Sequence, residues 1–124
     1  MATKFYRCRH CGNVIEKLVD SKVPVVCCGE KMEELVPNTV DASVEKHVPV
    51  VTRVDECTIK VEVGSTPHPM LPEHFIAFIY VETTNGGIHV DLKDKPEAFF
   101  CICKDKPVAV YEYCNLHGLW KTEL

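Results

Sequence analysis

Four cysteines crowd the first 28 residues of this 124-residue chain: Cys8, Cys11, Cys27 and Cys28. Cys8-x-x-Cys11-Gly12 has the spacing of a metal knuckle, because a two-residue gap lets both sulfurs turn to one ion while Gly12 relieves the turn that follows. Cys27-Cys28-Gly29 supplies the second pair. Four thiolates suit a tetrahedral site for zinc or for a single iron. Adjacent cysteines cannot repeat knuckle geometry, so the expected sulfur tetrahedron is distorted. Zinc ribbons usually carry two Cys-x-x-Cys knuckles, and the departure from that pattern favours iron over a structural zinc clip. His10, between two of the cysteines, reads as a solvated side chain.

A second set of donors is spread along the rest of the chain. His47 lies in Val44-Glu45-Lys46-His47-Val48-Pro49, His68 and His74 in Pro67-His68-Pro69-Met70-Leu71-Pro72-Glu73-His74, and Cys114 and His117 in Cys114-Asn115-Leu116-His117-Gly118. Cys-x-x-His is a metal-ligand spacing in its own right, and prolines on both sides of His68 stiffen its loop. Five mixed donors exceed a four-coordinate structural zinc site. They suit iron with four imidazoles in a plane and a thiolate on the axis, one position opposite the sulfur staying open. An axial thiolate pushes electron density towards whatever binds opposite, so this set reads as a redox site. His89, on a strand after a hairpin, reads as a non-ligand. Cys57, Cys101 and Cys103 fall outside both sets; Cys101 and Cys103, two apart on a strand, share a face and are expected to be buried packing thiols.

The elements that must position these residues are mostly strands. Ile59, Val61 and Val63 alternate with Lys60 and Glu62, the period of a half-buried strand. Phe75 to Val81 is a nearly continuous apolar run that suits a strand buried on both faces. Thr83-Thr84-Asn85-Gly86-Gly87 predicts a hairpin through Asn-Gly, which supplies positive φ at both central positions. Ile88, Val90 and Leu92 alternate after it, and Phe99–Cys103 and Val108–Tyr113 are further strands. From about residue 44 onward the pattern is β, no segment carries a capped helical stripe, and a small β-sandwich is expected. Val36-Pro37-Asn38 is a break, so the expected domains are a four-cysteine module over 1–36 and the sandwich over 37–124.

Composition narrows the function. Hydrophobic residues make up 46% and charged residues 26%, with a net charge of −4. An acidic balance argues against a nucleic-acid partner, and the absence of a run of some eighteen apolar residues argues against a transmembrane helix. Met1-Ala2-Thr3-Lys4-Phe5-Tyr6-Arg7-Cys8 has no apolar signal core, so the expected compartment is the cytoplasm. There, clustered cysteines are expected to be metal ligands or redox groups rather than disulfides.

Taken together, the motifs resemble desulfoferrodoxin, the two-iron class of superoxide reductase, over essentially the whole chain. Cys8-x-x-Cys11 with Cys27-Cys28 is similar to its desulforedoxin-type centre. Glu45-Lys46-His47-Val48-Pro49, His68-Pro69-Met70, His74 and Cys114-Asn115-Leu116-His117-Gly118 are similar to its catalytic centre. The resemblance implies a mainly β protein: a small desulforedoxin-like N-terminal iron module, then an immunoglobulin-like β-sandwich. It also implies two iron ions per chain, a homodimer, and reduction of superoxide to hydrogen peroxide with electrons from rubredoxin or a similar carrier. It places Lys46 near the open iron position, where it attracts superoxide, and makes Glu45 a ligand of the oxidised iron. Ferrous iron with four neutral imidazoles and one thiolate carries about +1, so the site draws a small anion despite the acidic chain. Two other classes fit parts of the pattern: a non-catalytic rubredoxin-like electron carrier, and a structural zinc protein that mediates contacts.

Overall fold

The computed structural model describes residues 3–124, and the chain divides into two compact units between Val36 and Pro37. The first unit is built from very short strands: β1 (Phe5–Arg7), β2 (Val14–Glu16), β3 (Val26–Cys27), β4 (Glu30–Lys31) and β5 (Glu33–Leu35). They form an antiparallel sheet ordered β2-β1-β5 and a β3-β4 hairpin. Among the described residues, Phe5 and Cys8 are its only buried apolar side chains. So small a core cannot offset the chain entropy of the segment, and chains below about 40 residues usually need a metal or another staple.

The second unit is a two-sheet sandwich. Its elements are α1 (Val44–His47), β6 (Pro49–Arg53), β7 (Thr58–Val63), β8 (Ile76–Thr83), β9 (Gly86–Asp91), β10 (Glu97–Cys101), β11 (Pro107–Cys114) and β12 (Gly118–Glu123). One sheet is ordered β10-β7-β6 and the other β12-β11-β8-β9, with every pairing antiparallel. Burial alternates along β7, with Ile59, Val61 and Val63 inside. On β8 the consecutive Ile79, Tyr80 and Val81 are all buried, as a strand covered on both faces requires. Ile59, Val61, Val63 and Phe100 from one sheet meet Ile76, Ile79, Val81, Val110 and Cys114 from the other. Each such side chain contributes about 1.5–3 kcal/mol relative to exposure, and Cys114 is anchored inside that packing.

Three expectations change. Residues 44–47 form one helical turn rather than the start of the β pattern. The hairpin after β8 exists, but Thr83 pairs with Gly86, so its loop residues are Thr84 and Asn85, and neither has positive φ. Thr83 Oγ1 accepts the Asn85 N–H and closes the turn, a side-chain device that substitutes for the Asn-Gly backbone. Finally, Cys57 and Cys103 form a disulfide and Cys101 is exposed, so these are not buried packing thiols. Cys101 lies opposite Thr58 in the β10–β7 register. That register carries Cys57 to the segment holding Cys103.

Candidate metal centres

The four-cysteine cluster sits on two turns. After β1 the Cys8 carbonyl accepts the Gly12 N–H at 3.0 Å, and the Cys8 N–H donates to Asn13 O at 2.9 Å, closing the knuckle with Gly12 at φ +81. The adjacent pair is accommodated differently. Cys27 pairs with Glu30, leaving Cys28 and Gly29 as a two-residue hairpin loop, with φ of +53 and +76. Positive φ at both central positions is the type I′ pattern, and it is how neighbouring cysteines here present both sulfurs to one point. All four Sγ atoms lie within 4.8 Å of one another, and Cys11 and Cys27 are 3.6 Å apart. Sulfurs about 2.3 Å from one ion in a tetrahedron are about 3.8 Å apart, so the spacing fits.

The charges also call for a cation. The Cys11 backbone N–H is the largest influence bringing the Cys8 thiol down to about 6. The Cys11, Cys8 and Cys27 sulfurs, in that order, push Cys28 up to about 12. Four thiols this close cannot ionise together unless a metal takes up the negative charge. His10 is outside the set, exposed and 2.7 Å from Glu30.

The second centre gathers donors from four places: the end of α1 (His47), the β7–β8 connection (His68 and His74), the last residue of β11 (Cys114) and the β11–β12 turn (His117). The imidazoles form a closed ring. Neighbouring centroids are 4.8 Å apart for His47 and His68, 4.5 Å for His68 and His74, 5.1 Å for His74 and His117, and 4.8 Å for His117 and His47. Each neighbouring pair is nearly perpendicular, with interplanar angles of 72° to 86°. Cys114 Sγ lies against them, 3.5 Å from His68 Nε2 and 3.8 Å from His117 Nδ1. His117 Nδ1 and His47 Nε2 are 3.1 Å apart. Two donors about 2.1 Å from one ion and at right angles would be about 3.0 Å apart.

Hydrogen bonds on the far side fix the tautomers. His47 Nδ1–H donates to Ser43 O and His68 Nδ1–H to Pro69 O, each at 2.7 Å, which leaves both Nε2 lone pairs aimed inward. His74 Nε2 is buried without a hydrogen-bond partner, which fits a nitrogen whose partner would be a metal. Burial lowers the affinity of His47 and His74 for a proton, with further lowering from neighbouring rings and from Lys46, and it takes His68 down to about 4. These three rings are neutral and available as ligands near neutral pH. Burial raises the Cys114 thiol, so an ion entering here must displace a proton.

Lys46 and Glu45 are exposed, on the same helical turn as His47. The Glu45 carbonyl accepts hydrogen bonds from the Thr66 N–H at 2.8 Å and Ser65 Oγ at 3.2 Å, which tie α1 to the loop that carries His68. His89 stays outside the ring, exposed and hydrogen-bonded to Asp91.

Sequence reasoning missed three supports. Trp120 stacks on His47 at 5.0 Å and donates its Nε1–H to His117 O at 3.1 Å, clamping two ligands. Asn115 accepts the Phe75 N–H and donates to Glu73 O, stapling the Cys114–His117 turn to the residues flanking His74. Glu112, fully buried with neither carboxylate oxygen partnered, is held well above the usual carboxylate range by burial. Its position two residues before Cys114 is the sequence signal, since alternation along β11 puts both side chains on the inner face.

A sandwich that closes four histidines and one cysteine around a point, joined to a four-cysteine module, defines a class of metalloprotein with two centres of different ligand type. The Desulfoferrodoxin family matches residues 39–123, and the desulfoferrodoxin N-terminal domain matches residues 2–35. The chain belongs to the desulfoferrodoxin family. A desulfoferrodoxin of Syntrophotalea carbinolica is 47% identical over 121 residues, covering 95% of this chain and 94% of that one. A desulfoferrodoxin of Nitratidesulfovibrio vulgaris is 46% identical over 122 residues, covering 97% and 95%. The crystal structure of the superoxide reductase from Treponema pallidum superposes with a TM-score of 0.83 at 34% identity, covering 99% of this chain and 100% of that one.

Proposed function

We propose that this chain is a superoxide reductase with two iron centres, the first held by Cys8, Cys11, Cys27 and Cys28 and the second by His47, His68, His74, His117 and Cys114. The observation that carries the reading is the closed ring of four imidazoles with a sulfur in contact with it. Iron held by His47, His68, His74, His117 and Cys114 would supply the single electron that, with two protons, turns superoxide into hydrogen peroxide. The protein's part is to hold the rings neutral, present one thiolate, and leave a face for the anion. Lys46, exposed beside His47, attracts superoxide to that face, and Glu45, exposed on the same turn, supplies a carboxylate for the oxidised centre. Five donors exceed what an electron carrier needs, which favours catalysis over a rubredoxin-like role.

The domain roles follow: residues 1–36 are a desulforedoxin-like iron module and residues 37–124 the catalytic sandwich. The poor core of the first unit supports a metal that folds it. Leu18, Val19, Val23 and Val26 are exposed there, and an apolar surface of this kind supports association of two copies as a homodimer. A small redox protein of the rubredoxin type serves as electron donor. Among the described residues no helix is long and apolar enough to cross a membrane. The location we propose is the cytoplasm, where clustered thiols serve as metal ligands.

Cys114→Ser tests the assignment. The variant should lose the sulfur-to-iron charge-transfer band and most superoxide reduction by pulse radiolysis, while the four-thiolate absorption stays. A surviving band would move the thiolate to another cysteine and overturn the ligand set.

A further inference from the structure

Three sulfurs outside both centres lie together at the other end of the sandwich. Cys57 precedes β7, while the loop bearing His68 follows it, and the six residues of β7 separate them by about 20 Å. The Ile102 N–H donates to Cys57 O at 2.6 Å, and the Cys57 N–H donates to Asp55 Oδ1 at 2.8 Å, so the backbone on both sides is held. Cys57 and Cys103 are joined as a disulfide, and the free, exposed Cys101 has its Sγ 3.5 Å from Cys103 Sγ. A third sulfur in contact with one end of a disulfide has the arrangement that exchange requires, with reacting atoms about 3–3.5 Å apart. In a reducing compartment a disulfide of this kind is generally transient and redox-active.

We propose that Cys57, Cys101 and Cys103 form a thiol–disulfide site that is oxidised by hydrogen peroxide and reduced by a dithiol, with Cys101 as the entry thiol. The proposal rests on the superoxide reductase reading in so far as that reaction makes the peroxide. In the reduced site, the exposed Cys101 thiolate attacks peroxide. The O–O bond breaks, an S–O bond forms, and hydroxide leaves as water once protonated. The Cys103 thiolate then attacks Cys101 Sγ, forming the Cys101–Cys103 disulfide and releasing the second oxygen as water. Cys57 thiolate attacks Cys103 Sγ, the Cys101–Cys103 bond breaks, and Cys101 returns as a thiolate. The sum is two thiols and one peroxide giving one disulfide and two waters. The end state is the observed one, with Cys57 bonded to Cys103 and Cys101 free. A dithiol reductant reverses it by attacking the exposed Cys103 Sγ with Cys57 leaving, or by attacking Cys101 Sγ once Cys101 has displaced Cys57 from Cys103, and its second thiol then closes it into a disulfide as the protein thiols are released.

The test uses the full iron-loaded protein, reduced with dithiothreitol, desalted without oxygen and given one equivalent of hydrogen peroxide. Samples are quenched with N-ethylmaleimide and mapped by mass spectrometry without reduction. The wild type should pass through Cys101–Cys103 to Cys57–Cys103, with Cys101 alkylated at the end. Cys57→Ser should stop at Cys101–Cys103, and Cys101→Ser should form its disulfide at least about ten-fold more slowly. Equal oxidation rates in Cys101→Ser and wild type, or no Cys101–Cys103 bond in Cys57→Ser, would overturn the proposal. Superoxide reduction is measured on the same samples and should stay within two-fold in both variants. Because peroxide is added directly, a failure of the cysteine chemistry is separable from a failure of the superoxide reductase reading.

Discussion

At Gly64 the β7–β8 connection runs tightly against the helical turn carrying Glu45, Lys46 and His47. A Cβ at this position would lie 2.7 Å from the Glu45 carbonyl oxygen, 3.0 Å from Val48 O and 3.1 Å from Lys46 C. All three are backbone atoms, so no side chain can swing aside. Restoring ordinary contact needs about half an ångström or more of backbone movement, and overpacking of this kind costs about 1–3 kcal/mol. In a sandwich unit of this size each kcal/mol lowers Tm by about 4–8 °C. The displaced element is α1, so Lys46 and His47 move with it. A shift of about 1 Å at a reacting centre can cost about a hundred-fold in rate, and half that shift about ten-fold. Gly64→Ala should therefore melt earlier, bind the second iron more weakly, and react with superoxide about ten-fold more slowly per iron. Thermal denaturation, iron analysis and pulse radiolysis read the three effects. Gly87→Ala is the control: its Cβ would meet the Tyr80 side chain, away from α1, and should cost stability with an unchanged rate per iron. Wild-type Tm and rate in Gly64→Ala would refute the idea that this contact sets the position of α1.

Other outcomes follow from the same geometry. Lys46→Ile should slow the second-order reaction with superoxide about ten-fold and flatten its dependence on ionic strength, as loss of a steering charge requires; pulse radiolysis at two salt concentrations checks it. Cys11→Ser should lose the four-thiolate absorption and the folded signature of the first unit in NMR spectra. It should keep substantial superoxide reduction with a chemical reductant, because the second ligand set lies wholly within the sandwich. In the metal-free protein, burial holds His68 down at about 4 against an ordinary value of 6.5. Its contribution is intact above pH 6.5 and is lost as pH falls towards 4, because the unfolded chain binds the proton first. The loss approaches about 3 kcal/mol. Urea denaturation of the metal-free wild type and His68→Gln at pH 7 and pH 4.5 should show a steeper acid loss in the wild type.

The chemistry of the donors can be read from the order of residues alone. Cys8-x-x-Cys11 and Cys114-x-x-His117 are legible because two intervening residues bring their donors near one point through local covalent geometry. The alternation of Ile59, Val61 and Val63 is legible because strand periodicity is equally local. Other contacts form only at long range, once the sheets pack. His47 meets His117 across 70 positions, and Cys57 meets Cys103 across 46. Such contacts depend on the register of β10 on β7 and of β11 on its neighbours. Register is a cooperative result of packing both sheets, since a one-residue slip would turn every inner side chain outward. The same packing stacks Trp120 on His47, lets Asn115 staple two loops, and buries Glu112 without a partner. It also explains the misread cysteines: sharing a strand face says that Cys101 and Cys103 lie together, but not whether that face meets the core, solvent or a third sulfur.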